Sequence, residues 1–436
     1  MKPFVIKDKF IPCGSVSLAG DKSIAHRALI ISALSRGKTI IHNFPIHDDS
    51  LATLNVLVAL GVKIKLIHNQ IVVYGAKKLN QPVKPLFVNN SGTTLRLILG
   101  VLAGRGFKTK VTAGKYLSAR PMARVNKPLR LMGAMISAKR KGSEEYPPLT
   151  IRGGKLKGII YRLPVASAQV KSAILLAGLS ASGKTCVIEK VNTRDHTERM
   201  LKSFGANIKI RKDSVTLMPD RSLVSPGRIY IPGDISSAAF LMVLAIIIPG
   251  AKIIIERLSL NPSRCGIIKV LKRMGAKIKV ISFKDRQVRS FEPMGKVKVS
   301  SGRLKAAIVN PSEIPSLVDE LPILMVAACF AKGRTVIKGV GELRFKETDR
   351  INSMIINLKA MGADIRLVKS GGLENIIIEG KDLLKGTRLK SFGDHRTAMS
   401  MIVAALAAQG SSRLDDISCI SKSFPGFLAT LKGLLR

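Results

Sequence analysis

Apolar and polar positions along this chain fall into an order that repeats. A large apolar residue, then Gly, then Ala or Val, any residue and Ile, occurs five times. The copies are Leu60-Gly61-Val62-Lys63-Ile64, Met132-Gly133-Ala134-Met135-Ile136, Phe204-Gly205-Ala206-Asn207-Ile208, Met274-Gly275-Ala276-Lys277-Ile278 and Met361-Gly362-Ala363-Asp364-Ile365. Their glycines lie 72, 72, 70 and 87 residues apart, and a degraded copy, Leu431-Lys432-Gly433-Leu434, follows 71 residues later. Each copy closes an amphipathic run such as Leu51 to Leu60 or Ile351 to Met361. Gly suits the position just past a helix end, and the residues after it open a strand.

A second pattern interleaves with the first: an apolar helix ends in Gly and a strand follows. Ala28 to Gly37 then Thr39-Ile40-Ile41, Ala173 to Gly183 then Thr185-Cys186-Val187-Ile188, and Ile323 to Gly333 then Thr335-Val336-Ile337 are clear cases. Leu97 to Gly106, Phe240 to Gly250 and Met399 to Gly410 are looser ones. The chain is thus six α/β repeats, each with two helices and several strands. The last repeat stops after its second helix, so residues 3 to 18 are expected to supply its missing strand. Ile231-Pro232-Gly233-Asp234-Ile235-Ser236-Ser237-Ala238 echoes Leu18-Ala19-Gly20-Asp21-Lys22-Ser23-Ile24-Ala25. Two domains of three repeats are therefore expected, 21–233 and 1–20 with 234–436. Gly20 and Gly233 at the crossings would permit hinge motion.

Polar segments precede the apolar helices. In Gly20-Asp21-Lys22-Ser23-Ile24-Ala25-His26-Arg27, Asp21 or Ser23 can cap a helix, with Lys22, Ser23 and Arg27 at its mouth. Free N–H groups, a positive dipole end, an ammonium and a guanidinium there form an anion site. Corresponding segments are Asn90-Ser91-Gly92-Thr93-Thr94-Leu95-Arg96, Ser167-Ala168-Gln169, Asp234-Ile235-Ser236-Ser237, Asp319-Glu320 and Asp394-His395-Arg396. Further basic segments are Ala119-Arg120-Pro121-Met122, Thr193 to Arg199, and Phe345-Lys346-Glu347-Thr348-Asp349-Arg350. Gly178 to Thr185 matches the P-loop pattern GxxxxGK[ST]. A P-loop runs from strand into helix, whereas here a helix precedes and a strand follows, so a plain helix-to-strand turn is expected.

Composition changes this picture little. The net charge of +44 raises nucleic acid as a partner. The basic residues are spread over every repeat, however, and with five Tyr and no Trp stacking platforms are scarce. A positive field also draws in small anionic substrates. No apolar run reaches the ~18 residues of a membrane span, and no signal-peptide core is present. Five cysteines without CxxC or metal spacing read as buried thiols in a reducing cytoplasm, and six histidines show no zinc-type spacing.

Taken together, residues 18–29, Asn90 to Arg96, Arg120-Pro121-Met122, Ser167-Ala168-Gln169, 193–199, 345–350, Asp394-His395-Arg396 and Lys422-Ser423-Phe424-Pro425 carry a resemblance. In order and across the whole length, the chain resembles the 5-enolpyruvylshikimate-3-phosphate synthases, the 3-phosphoshikimate 1-carboxyvinyltransferases of the shikimate pathway. The resemblance implies the enolpyruvyl transferase fold, a two-domain inside-out α/β barrel of six βαβαββ repeats. It implies transfer of the enolpyruvyl group of phosphoenolpyruvate to the 5-hydroxyl of shikimate 3-phosphate, with no metal and no organic cofactor. The expected partners are these two small molecules alone, bound by a cytoplasmic monomer, with no membrane and no specific nucleic acid.

The same resemblance assigns residues. Lys22, Ser23, Arg27, Ser167, Ala168, Gln169, Arg194, Asp319 and Lys346 would hold shikimate 3-phosphate. Ala168 stands where some members carry Ser, so any contact there falls to backbone. Lys22, Gly92, Arg120, Gln169, Arg350, Arg396 and Lys422 would take phosphoenolpyruvate. Asp319 would act on the attacking hydroxyl, Glu347 would move the C3 proton, and Lys22 would assist phosphate departure. Glu320 is the alternative to Asp319 if the local match Val318-Asp319-Glu320-Leu321-Pro322 slips. Inhibition by glyphosate, in competition with phosphoenolpyruvate, is also implied, since Gly92 stands where resistant members often carry Ala. Two rivals are the UDP-N-acetylglucosamine enolpyruvyl transferases and a non-catalytic polyanion- or RNA-binding protein. The first typically carries Cys in the loop before the Arg of the second repeat, and residues 110–121 hold none. The second would show salt-sensitive binding without turnover.

Overall fold

The computed structural model describes residues 3–7, 10–67, 70–76, 78–219, 222–283 and 290–434. They form two compact units, one of Ala19–Pro232 with Asp285–Glu292, the other of Met1–Leu18, Gly233–Lys284 and Pro293–Arg436. Three apolar helices lie in the first (Lys22–Leu34, Gly92–Ala103 and Ala168–Gly178) and three in the second (Ile235–Ile247, Leu321–Cys329 and His395–Ala407). These helices are buried nearly all round, as their largely apolar sequences require. In the second unit all three pack on one another, and in the first Gly92–Ala103 packs against both others. At Gly100 the approach is closest, since a Cβ there would stand 2.3 Å from the Ala173 carbonyl. The amphipathic helices Asp48–Ala59, Ala123–Leu131, His196–Ser203, Gly266–Arg273 and Arg350–Ala360 each bury one side only.

Five four-stranded sheets share one order: a parallel edge strand, the strand after the apolar helix, then an antiparallel pair. Gly61, Gly133, Gly205, Gly275 and Gly362 sit at φ between 86° and 111°, the left-handed turn by which each amphipathic helix passes into a strand. The degraded sixth copy departs from this. Gly433 ends the helix Phe427–Gly433, and the carbonyl of Leu434 accepts the N–H of Cys13 at 2.9 Å, from the other end of the chain. Residues 3–18 divide into two strands rather than one. Phe4–Ile6 pairs antiparallel with Ser412–Leu414 in the sixth repeat, while Cys13–Ser17 forms the parallel edge of the fourth repeat's sheet, beside Lys252–Ser259. In the first unit Arg228–Tyr230 gives the first repeat its parallel edge along Lys38–His42. Residues 178–185 run from helix end through Ala181–Ser182 into the strand Thr185–Ile188, so the P-loop-like string is a turn.

Candidate active site

In the first unit the segment 20–29 folds as its residues dictate. Asp21, and not Ser23, caps Lys22–Leu34, its Oδ1 accepting the Ile24 N–H at 3.0 Å. Gly20 is required here because a Cβ would stand 2.3 Å from the Asn43 carbonyl. Lys22 Nζ lies 2.9 Å from Asp49 Oδ2, an ion pair the sequence did not signal beyond placing Asp48-Asp49 at a helix start. Arg194 Nη1 reaches Ser23 Oγ at 3.4 Å, and Arg27 Nη1 donates to the Ser23 carbonyl at 2.7 Å. Lys22, Ser23, Arg27 and Arg194 therefore gather around one helix mouth.

Ser167 caps Ala168–Gly178, its Oγ accepting the Val170 N–H at 3.4 Å. Gln169, one residue inside that helix, accepts from Arg96 Nη1 at 2.5 Å and donates to Thr93 Oγ1 at 2.9 Å. It ties the third repeat to the turn of the second. Ser91 caps the helix that Gly92 opens. Asn90 Oδ1 takes the N–H groups of Tyr116 and Leu117, fixing the segment that leads to Arg120. A Cβ on Gly92 would meet Arg120 Nη1 at 3.0 Å and Arg96 Nη1 at 3.2 Å. Arg96, to which the sequence assigns no role, bonds Gln169 and lies beside Gly92.

The second unit holds the remaining residues. Arg350 opens the helix Arg350–Ala360 behind its cap Asp349 and is 1% exposed. Its Nε donates to Asp394 Oδ2 at 2.9 Å, its Nη2 to Glu347 Oε2 at 2.5 Å, and its Nη1 lies 3.6 Å from Asp319 Oδ1. Burial opposes the charge of Arg350, and Asp394, Glu347 and Asp319 together more than offset it, so its pKa stands above the usual value. Arg396 Nη1 donates to the Asp319 carbonyl at 2.9 Å, and its Nη2 lies 3.7 Å from Asp319 Oδ2. Lys422 Nζ donates to the Gly393 carbonyl at 2.9 Å. Lys346 and Glu347 lie between the turn Gly341–Phe345 and the Arg350 helix. Asp319, Glu347, Arg350 and Arg396 thus form one cluster. Glu320 is fully buried and is paired instead with Ser236 and Arg264.

Such an arrangement suits charge-dense chemistry. Two partly exposed carboxylates share a buried guanidinium, which holds both in place, and carboxylates held in this way are suited to moving protons. Among the described residues, no group of three His, Cys, Asp or Glu could hold a metal, and no helix is long and apolar enough to cross a membrane. All five cysteines are free, but only Cys329 and Cys419 are buried. Cys13, Cys186 and Cys265 are half-buried: Cys13 starts an edge strand, Cys186 lies on the less buried face of Thr185–Ile188, and Cys265 stands just before a helix.

Comparison with known proteins supplies the family. The family model described as EPSP synthase (3-phosphoshikimate 1-carboxyvinyltransferase) matches residues 13–431. A 3-phosphoshikimate 1-carboxyvinyltransferase of Syntrophomonas wolfei is 46% identical over 424 residues, covering 97% of both chains. One from Desulforamulus reducens is 44% identical, with the same coverage. Among solved structures, the EPSP synthase of Acinetobacter baumannii superposes with a TM-score of 0.87 at 39% identity, covering 100% of this chain and 98% of that one. The enolpyruvyl transferase NikO from Streptomyces tendae, at 16% identity and a TM-score of 0.76 over 99% and 97% of the two chains, shares the fold. The repeats, the capped helix mouths and these matches agree, and the chain belongs to the EPSP synthase family.

Proposed function

We infer that this enzyme transfers the enolpyruvyl group of phosphoenolpyruvate to the 5-hydroxyl of shikimate 3-phosphate and releases phosphate. Membership of the family over residues 13–431 carries this reading. The hydroxyl oxygen adds to C2 of phosphoenolpyruvate while C3 gains a proton, giving a tetrahedral ketal phosphate. The C2–O bond to phosphate then breaks as C3 loses a proton, and the product keeps the enol ether.

Resemblance to the family assigns the residue roles, and chemistry and placement support them. Lys22, Ser23, Arg27 and Arg194 gather cations and a hydroxyl at one helix mouth, suited to the phosphate and carboxylate of shikimate 3-phosphate. Ser167, Gln169 and the Ala168 backbone extend that surface, and Lys346 supplies a further cation. Gly92, Arg120, Arg396 and Lys422 take phosphoenolpyruvate, with Gln169 and Lys22 touching both substrates. Asp319 accepts the proton of the attacking hydroxyl, and Glu347 gives and later recovers the C3 proton. Arg350 binds the phosphoenolpyruvate carboxylate and keeps the two proton carriers, Glu347 and Asp319, beside it. Lys22 neutralises the departing phosphate. In this proposal 21–233 is the domain of the shikimate-phosphate site, and 1–20 with 234–436 is the domain that brings Asp319 and Glu347. The enzyme works in the cytoplasm as a monomer, with no organic cofactor or metal, and its five free thiols fit a reducing compartment.

The test is phosphate release on mixing the protein with both substrates. Release that needs both, with formation of the enol ether, is expected. Release from phosphoenolpyruvate alone, or none with both substrates together, would overturn the reading.

A further inference from the structure

The reaction scheme leaves unused a group of buried residues around Arg27. Arg27 is 2% exposed. Its Nε donates to Thr197 Oγ1 at 2.7 Å, its Nη2 to Ser172 Oγ at 2.8 Å and its Nη1 to the Ser23 carbonyl. The direction of each hydroxyl proton follows by elimination. Ser172 Oγ donates to the Ala168 carbonyl at 2.6 Å, so between Ser172 and Thr197, 2.7 Å apart, Thr197 must be the donor. With its one proton given to Ser172, Thr197 has only lone pairs to offer Arg27. Two acceptors are thereby preset along one edge of the guanidinium. Of its five N–H groups three are used, and one remains on each terminal nitrogen.

The neighbours of these two hydroxyls hold them in turn. Lys171 precedes Ser172 and Glu198 follows Thr197, and Nζ of the first lies 2.6 Å from Oε1 of the second, both at or below 2% exposure. Glu189 takes Lys171 from another side at 2.6 Å. Helix Ala168–Gly178 is thus tied to helix His196–Ser203 at the level where both face Arg27. Burial lowers the Arg27 pKa to about 10, and among nearby charges Glu198 does most to hold it up.

We propose that Thr197 is a positioning residue, which with Ser172 fixes the plane of Arg27 so that its two remaining N–H groups meet an oxyanion of shikimate 3-phosphate. This rests on the assignment of Arg27 to that substrate. Thr197→Val keeps the shape and removes the hydroxyl. Nε then loses its acceptor, Ser172 loses its donor, and the guanidinium is free to turn. The expected result is a KM for shikimate 3-phosphate raised about tenfold, the scale of one charge-assisted hydrogen bond. The KM for phosphoenolpyruvate should stay within about twofold, kcat should change little, and Thr197→Ser should restore the wild-type value. Ser172→Ala is the second variant, with the same selective rise expected, should Thr197→Val fold poorly. Arg27→Lys runs beside them. If Arg27→Lys raises the KM for shikimate 3-phosphate and neither hydroxyl variant does, Thr197 has no positioning role while the site assignment stands. If Arg27→Lys leaves that KM unchanged, the assignment falls and the proposal with it. Equal rises in both KM values, without rescue by Thr197→Ser, mean a merely structural role and overturn the proposal.

Discussion

Gly92→Ala is the substitution whose effect the structure bounds best. The added Cβ would stand 3.0 Å from Arg120 Nη1 and 3.2 Å from Arg96 Nη1, so a neighbour has to give by a few tenths of an ångström. Arg96 is 6% exposed and bonded to Gln169 Oε1, and it has little room to retreat. Half-buried Arg120 is the group that moves. A tip that swings takes up part of the overlap, so phosphoenolpyruvate binding should weaken by about 1 kcal/mol, the low end for overpacking. The family resemblance implies that the longer glyphosate reaches into the space the methyl fills, so it should lose about 1–3 kcal/mol beyond that, roughly 5- to 150-fold in its inhibition constant. The assay is phosphate release with phosphoenolpyruvate varied at several inhibitor concentrations, for wild type and Gly92→Ala. Wild type should be inhibited competitively. A wild type insensitive to the inhibitor, or a variant in which KM and inhibition constant rise equally, refutes the reasoning.

Asp319→Asn and Glu347→Gln should fold with nearly unchanged melting temperature and lose about 10²-fold or more in kcat, as expected for proton carriers; near wild-type turnover in either removes its role. Lys171→Met leaves Glu189 and Glu198 buried without their cation and should cost about 3–5 kcal/mol of stability in urea unfolding, whereas a loss below about 1 kcal/mol would show that the ion pair carries little. The His47 imidazole is lowered to about 3, first by burial and then by Lys22. An unfolded His takes its proton near pH 6.5. This group therefore adds full stability above about pH 6.5, and the contribution is lost as pH falls toward 3, by roughly 2 kcal/mol at pH 5. Unfolding at pH 7 and pH 5 should show that loss reduced in His47→Gln, and an identical pH dependence in the variant contradicts the assignment.

What the sequence made legible was local. Capping segments and left-handed glycines declare themselves within a few positions, so the segments that hold the caps Asp21, Ser91, Ser167, Asp234 and Asp394 are legible as helix mouths, with Asp21 and Ser23 left as alternatives, and five helix-ending glycines are legible at their turns. Pairings between repeats leave no such trace. Arg350 meets Asp394 across 44 residues, Arg96 meets Gln169 across 73 and Arg27 meets Thr197 across 170. Asp319 and Glu320 look alike in sequence, yet one step along the turn before Leu321–Cys329 sends one to Arg350 and Arg396 and the other into the core beside Arg264. The split of residues 3–18 into two strands was hidden for the same reason, since each strand is chosen by a partner hundreds of positions away.

Those distant strand partners impose a schedule on synthesis. The first repeat's sheet lacks its edge until Arg228–Tyr230 has left the ribosome, but then the first unit has nearly all of its strands. The second unit has to wait longer. Phe4–Ile6 and Cys13–Ser17 are made first, yet the partner of one is Ser412–Leu414, and Cys13 also takes the carbonyl of Leu434. Cys13–Ser17 therefore stays unpaired until Lys252–Ser259 is made, and Phe4–Ile6 spends nearly the whole of translation as unpaired strand, exposed to wrong edges. A chain cut short before Ser412 would release a folded first half joined to a second half that can never close.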